Sequence, residues 1–224
     1  VLASLNLRIT VFAVGQDAAL EKNHAAIGAI AAAGHEIGNH SFHHEPWLHR
    51  YTQAELEQEI GLAEEAIEDV TGRRPVGFRG PGFSHSPATF QCLAARGYEY
   101  DASTFPTVLG PVARAYYFMT ARLTREQKEE RKQLFGRFRD GLQPLKPYLL
   151  DVEQGPLLEI PVTTMPLFRT PFHVSYLLYL WQASRGLALR YFRMALALCR
   201  LRGISASLLR EPLDFLGADD DENL

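Results

Sequence analysis

Five of the eight histidines lie between His35 and His49. Two of them, His40 and His44, stand four residues apart in the run Gly34-His35-Glu36-Ile37-Gly38-Asn39-His40-Ser41-Phe42-His43-His44. Neutral imidazole is the commonest protein metal ligand. One helical turn would carry residues i and i+4 to the same side. Glu36 to Asn39 reads as the end of a short strand, so the pair is expected to hold a divalent cation over a sheet. His43 would point elsewhere on that turn and reads as structural or surface. His35, after a helix-stopping Gly, is expected to make a buried hydrogen bond. His24 and His49 read as surface residues.

The elements that would position this pair follow a regular rhythm. Ile9–Gly15 is a short β-rich strand closed by Gly. Asp17 then caps a helix that runs to Gly34. His35–Asn39 is the second strand. Thr52 with Glu55 forms a capping box for a strong helix, in which Leu56, Ile60, Ala63, Ile67 and Val70 keep one apolar face and the acids form a solvated one. Pro75–Arg79 is a third strand, Ser86-Pro87 opens a further helix, and Tyr98–Asp101 is a fourth strand. Strand alternating with helix argues for parallel strands and crossover helices, hence an α/β class.

The rhythm breaks after Pro106. Residues 107–156, with a charged helix near Arg125–Phe138, are expected to be an insertion in a single domain spanning 1–217, because they hold too few apolar residues for a core of their own. A strand at Leu157–Val162, helices over about 172–184 and 186–202, and a last strand at Ile204–Leu209 complete the reading. Residues 218–224 form an acidic tail.

Composition narrows the function. Of the 224 residues 46% are hydrophobic and 22% charged, with a formal net charge of -3. No basic block stands out, so nucleic acid is not indicated. Cys92 and Cys199 lie in separate helical segments and form no C-x-x-C, so a reducing compartment is compatible. The late apolar segments are too short or too rich in arginine to span a bilayer. The chain opens on Val1 with no signal-peptide pattern, which slightly favours the cytoplasm and suggests that the natural N-terminus is missing. Oligomeric state is not readable.

Four motifs in order resemble the polysaccharide deacetylase family, the NodB-homology domain of carbohydrate esterase family four. Thr10-Val11-Phe12-Ala13-Val14-Gly15 is similar to its early T-F-F-x-x-G strand. The His40 segment matches G-H-E-[IL]-x-x-H-[ST]-x-x-H. Phe78-Arg79-Gly80-Pro81 matches F-R-x-P, and Tyr100-Asp101 fits its strand-end aspartate. The resemblance covers about Ile9 to Gly217. It implies a distorted (β/α) barrel, incomplete here at its first strand, with the site at the strand C-termini.

The resemblance further implies a divalent metal, usually zinc, held by His40, His44 and an Asp, that activates water for amide hydrolysis. Arg79 would position a base aspartate by paired hydrogen bonds. Asp101 would orient an acid histidine, unless it is only a turn or cap residue. Pro81, Gly82 and Phe83 would shape a groove wall. Trp47 would stack on a sugar or simply pack. Two family features are missing. The opening T-F-D-D, source of the base and the carboxylate ligand, has no counterpart in residues 1–8, and Glu211 stands where the closing histidine belongs. Glu211 takes a changed role, or His173 serves as the acid, or the acid step is impaired. The implied function is deacetylation of glycans containing N-acetylhexosamine, inactive in this chain if those parts are not supplied. The alternatives are a degenerate glycan-binding module and a related hydrolase of C–N bonds in small amides.

Overall fold

The computed structural model describes residues 2–110, 141–211 and 214. Its framework is a six-stranded sheet in the order β1-β2-β3-β4-β6-β5. The strands are β1 (Thr10–Ala13), β2 (Glu36–Asn39), β3 (Gly77–Phe78), β4 (Tyr100–Asp101), β5 (Tyr148–Val152) and β6 (Gly155–Glu159). All neighbours pair in parallel except β5, which runs antiparallel to β6. Between them come α1 (Gly15–Ala18), α2 (Glu21–Ala32), α3 (Gln53–Thr71) and α4 (Pro87–Ala95). The βα rhythm therefore builds the expected parallel α/β sheet, which over the described residues is open.

The capping box at Thr52 and Glu55 is present, and Gly72 in the left-handed region ends α3. Leu56, Ile60, Ala63 and Ile67 are fully buried along one face of α3. With Leu48, Phe78, Leu93 and Leu157 they bring helix and sheet together. Burying each such side chain contributes about 1.5–3 kcal/mol. Beyond the sheet, β7 (Thr164–Met165) and β8 (Thr170–Pro171) form a small hairpin that packs on α6 (Arg185–Leu201), which follows α5 (Val174–Ala183).

Several local expectations are corrected. Asp17 is not a cap: it lies inside α1, and α2 starts afresh after Leu20. The acids of α3 are not all solvated. Glu59 and Glu64 are buried, because each has a cationic or ring-nitrogen partner. Glu64 accepts from Arg74 Nε (2.5 Å), Arg96 Nε (3.1 Å) and Tyr98 OH (3.3 Å). Burial pushes its carboxyl up, but the two arginines outweigh this and hold it below the usual range. Ile204–Leu209 is not a strand; Ser207 instead exchanges bonds with Thr163. Residues 148–156, expected within an insertion, belong to the main sheet as β5 and the start of β6. The charged helix near 125–138 and the acidic tail lie outside the described residues.

Candidate functional site

His40 follows β2, Arg79 follows β3, and Asp101 and Glu159 close β4 and β6. Four neighbouring parallel strands thus deliver four functional groups at their C-terminal ends, where α/β sheets place ligands.

The histidine loop is built by Asn39. Its buried amide donates to Ile60 O (3.0 Å) and to Tyr98 OH (2.8 Å), while its Oδ1 accepts from Ser41 N (2.8 Å). The carbonyls of Ser41 and Phe42 then accept from Gly15 N and Gln16 N at the start of α1. A Cβ on Gly15 would lie 2.6 Å from the Phe42 ring and 2.7 Å from the Ala63 backbone, so only glycine permits this approach.

His40 and His44 are brought together, with ring centroids 4.8 Å apart. They do not sit on a helical turn, as the i, i+4 spacing suggested. Ser41 (φ 62°) and His44 (φ 61°) both occupy the left-handed region and bend the chain back on itself. Ser41 Oγ closes the bend by accepting from His44 N at 3.1 Å.

The His40 ring has a defined tautomer. Its Nδ1 lies 2.5 Å from the Arg79 carbonyl, which can only accept, so Nδ1 carries the proton. Burial, with smaller contributions from His44 and Arg79, lowers its pKa to about 4 against the opposing Arg79 bond. The ring is therefore neutral at pH 7 and its Nε2 keeps a lone pair. That is the form in which imidazole binds a metal.

The other loop histidines are absorbed by structure. His43 Nδ1 pairs with Glu59 at 2.8 Å, and its backbone N–H donates to the same carboxylate at 2.6 Å. His35 Nδ1 accepts from Ile9 N at 3.3 Å, a bond that is exposed rather than buried as expected, because Ile9 lies just before β1 at the surface. His49 is half-buried rather than on the surface, with Nδ1 2.9 Å from Ser84 Oγ.

Arg79 is the electrostatic hub. Its Nε donates to Ala102 O (2.9 Å), and its guanidinium stacks 4.4 Å over the Phe12 ring. Burial pulls its pKa down, while Asp101, Tyr100, Glu211 and Glu159 hold it up. Asp101 is buried and pinned: Ser103 donates to it from N (3.0 Å) and from Oγ (2.6 Å). Ser103 Oγ in turn accepts from Gly80 N at 2.7 Å, tying β4 to the turn after Arg79. At Gly80 a Cβ would lie 1.9 Å from Ser84 O, so that turn needs glycine.

Sequence reasoning missed Glu159. It is fully buried, its Oε1 accepts from Thr104 N (3.0 Å), and its Oε2 has no hydrogen-bond partner. Burial first, and then the Asp101 charge beside it, raise its pKa to about 10. The available signal was its phase: Glu159 shares the inward face of the strand with Leu157.

Beyond the Gly80 turn runs a row of rings. Phe83 lies 4.7 Å from Phe105, which lies 5.1 Å from His173, which lies 5.5 Å from Tyr176. Pro81 is buried, and Gly82 (φ 58°) sits against Pro46. Trp47 is half-buried on the adjoining loop. His173 is buried and its Nε2 has no hydrogen-bond partner. Burial and the Arg79 charge lower its pKa to about 4, against a smaller opposing effect of Asp214. As found, it is a neutral ring with no second proton to donate near pH 7. Glu211 is exposed, its charge is felt at Arg79, and its N–H donates to Asp214 Oδ2 at 2.9 Å.

Residues 1–100 match the family model described as polysaccharide deacetylase. Over that stretch the chain is similar to the polysaccharide deacetylase family. A peptidoglycan deacetylase of Helicobacter pylori is 35% identical over 74 residues, which are 33% of this chain and 25% of that protein. A peptidoglycan deacetylase-like protein of Gibberella zeae is 35% identical over 92 residues, 40% of this chain and 25% of that protein. These matches therefore span a quarter of the curated relatives' length. A candidate polysaccharide deacetylase structure from Mycobacterium smegmatis aligns with 94% of the chain and 78% of its own length, at TM-score 0.53 and 21% identity. An allantoinase structure aligns with 84% of the chain and 52% of its own, at TM-score 0.51 and 20% identity. Both are likenesses of fold, and the chain shares that deacetylase-type α/β architecture.

His40 and His44 fit the nitrogen half of the metal site that the resemblance implies. Among the described residues, however, no three His, Cys, Asp or Glu side chains converge to complete a cation site. The carboxylate half is not found there.

Proposed function

We propose that this chain carries the metal-binding and substrate-positioning part of a glycan deacetylase acting on N-acetylhexosamine units. The observation that carries this reading is the Arg79 carbonyl on His40 Nδ1. It fixes a neutral ring with a bare Nε2 beside a second imidazole. His40 and His44 would hold a divalent ion, and zinc suits imidazole donors. When bound, such an ion polarises an amide carbonyl and acidifies water.

The chain's own residues supply the rest. Arg79 places a fixed positive charge beside the site. Asp101, held by Ser103, keeps that charge balanced and the Gly80 turn in place. The ring row from Phe83 to His173 offers an apolar wall to a sugar face, with Trp47 on the loop beside it.

A second reading is a glycan-binding module without turnover. It is favoured by the unmatched carboxylate ligand among the described residues and by Glu211 in the place of the closing histidine. A third, hydrolysis of a small amide, rests on the fold shared with an allantoinase. One experiment separates the three: acetate released from chitooligosaccharides and peptidoglycan fragments, measured alongside glycan affinity. Release that is lost in His40→Ala supports the deacetylase. Affinity without release, unchanged in His40→Ala, supports the binding module. Neither release nor affinity leaves the small-amide reading.

A further inference from the structure

The helical hairpin of α5 and α6 breaks the usual rule for apolar helices. Val174–Ala183 reads Val-Ser-Tyr-Leu-Leu-Tyr-Leu-Trp-Gln-Ala, with no charged residue, yet none of its ten residues is buried. A helix apolar on all sides is normally covered. Tyr179 is 76% exposed, and Leu178 and Trp181 are exposed beside it. On α6, Ala188, Ala195 and Cys199 face the interior. Leu187, Met194 and Leu201 recur every seven residues, two helical turns, and so form one outward stripe. Leu201 is 79% exposed.

The charge of this hairpin is one-sided. Arg185, Arg190, Arg193, Arg200 and Arg202 are all exposed, and no Asp or Glu occurs from 174 to 203. This concentration of positive charge sits in a chain of formal net charge -3. Arg185 lays its guanidinium over the Trp181 ring at 4.7 Å, joining cation and aromatic on one surface.

The seam between the helices is apolar as well. Tyr176, Tyr179, Leu180, Leu187 and Tyr191 line an open hollow. The Tyr191 hydroxyl donates to Pro171 O (2.6 Å) and lies 2.9 Å from Thr170 Oγ1, and both of those residues border the same hollow.

We propose that the α5–α6 hairpin is a docking surface for an anionic phospholipid bilayer. Exposed aromatic and aliphatic side chains enter the headgroup–acyl boundary, and the flanking arginines meet lipid phosphates with their stems along the apolar surface. The hairpin lies on the bilayer: no described helix is long and apolar enough to cross one. A second copy joined through the same face would set arginines against arginines, since a two-fold contact uses one patch twice. A soluble anionic polymer would answer the arginines but leave the Trp181 and Leu201 surface unburied. The inference is independent of the deacetylase reading, although α5 starts one residue after His173.

Flotation of the full chain with vesicles tests it. Binding is expected to vesicles containing phosphatidylglycerol and not to pure phosphatidylcholine. Replacing Arg190, Arg193 and Arg200 together by Gln should weaken binding roughly a hundredfold, with the circular dichroism of the fold unchanged. In a Trp47→Phe background, where Trp181 is the remaining tryptophan, its emission should shift to the blue on anionic vesicles. Absence of flotation at low salt overturns the proposal. So does flotation without a Trp181 shift, which marks a purely electrostatic contact, or concentration-dependent self-association with no vesicle binding, which assigns the face to a second copy. If the triple variant misfolds, the salt dependence and the Trp181 shift of the otherwise native chain decide the matter.

Discussion

Asp101 and Glu159 face each other as register partners across the β4–β6 ladder, both fully withdrawn from solvent. Two buried carboxyls side by side do not both ionise. The proton resides on Glu159, whose pKa is raised to about 10 by burial and by the Asp101 charge. On its other side Asp101 favours the charge of Arg79.

That proton makes stability depend on pH. Glu159 is protonated when folded and ionised when unfolded, between its ordinary pKa of about 4.3 and about 10. The native state binds more protons in this window, so its contribution is complete below the window and is lost as pH rises through it. Glu159→Gln, which keeps an acceptor for Thr104 N, removes the penalty. Its urea midpoint should equal that of the native chain near pH 4. By about pH 8 the midpoint should lie higher, by a difference that corresponds to at least about 1.4 kcal/mol of unfolding free energy, one pKa unit. Equal midpoints at both pH values would show an ionised Glu159.

Ser103→Ala should destabilise the fold by about 1–3 kcal/mol. The change removes two short bonds, to Asp101 and from Gly80 N, and leaves the buried Gly80 N–H without its acceptor. Thermal or urea unfolding measures it. A loss under about 0.5 kcal/mol, the usual range of a surface substitution, would mean that the link between β4 and the Arg79 turn is dispensable.

His173 acts in the opposite direction. Its folded pKa of about 4 lies below the unfolded value of about 6.5, so the native state binds fewer protons between them. The stability it contributes is complete above pH 6.5 and is lost as pH falls towards 4, by on the order of 3 kcal/mol. His173→Phe keeps the ring contacts with Phe105 and Tyr176 and should flatten that part of the acid decline. Unfolding curves from about pH 7 to pH 4 compare the two chains. Parallel declines would place the His173 proton equilibrium elsewhere.

The sequence displays those parts of the fold and site that depend on short-range pattern. Thr52 with Glu55, Ser86 with Pro87, and the inward positions of α3 are local signals, and the elements they predict form as read. The convergence of His40 and His44 was legible as well, but the reason for it was not. The spacing suggests a helical turn, whereas left-handed Ser41 and His44 do the bending, and the fold tolerates them because Asn39 and α1 hold the loop from both sides. The β5 strand was hidden because Tyr148–Val152 follows a charged stretch and becomes a strand only by pairing with β6. The burial of Glu59 and Glu64 was invisible because each depends on partners 10 to 32 residues away, namely His43, Arg74 and Arg96, whereas Glu159 was marked only by its phase with Leu157.

In the proposed reading His40 and His44 form the nitrogen half of a divalent-cation site. Calorimetric titration of the chain with zinc, repeated with His40→Ala, with His44→Ala and with both, tests it most directly. The native chain should bind zinc measurably, and each single variant should lose affinity beyond the roughly 10–100-fold typical of outer-shell partners. The double variant should lose no more, because one ion needs both rings. Zinc affinity unchanged when both imidazoles are gone would contradict that reading.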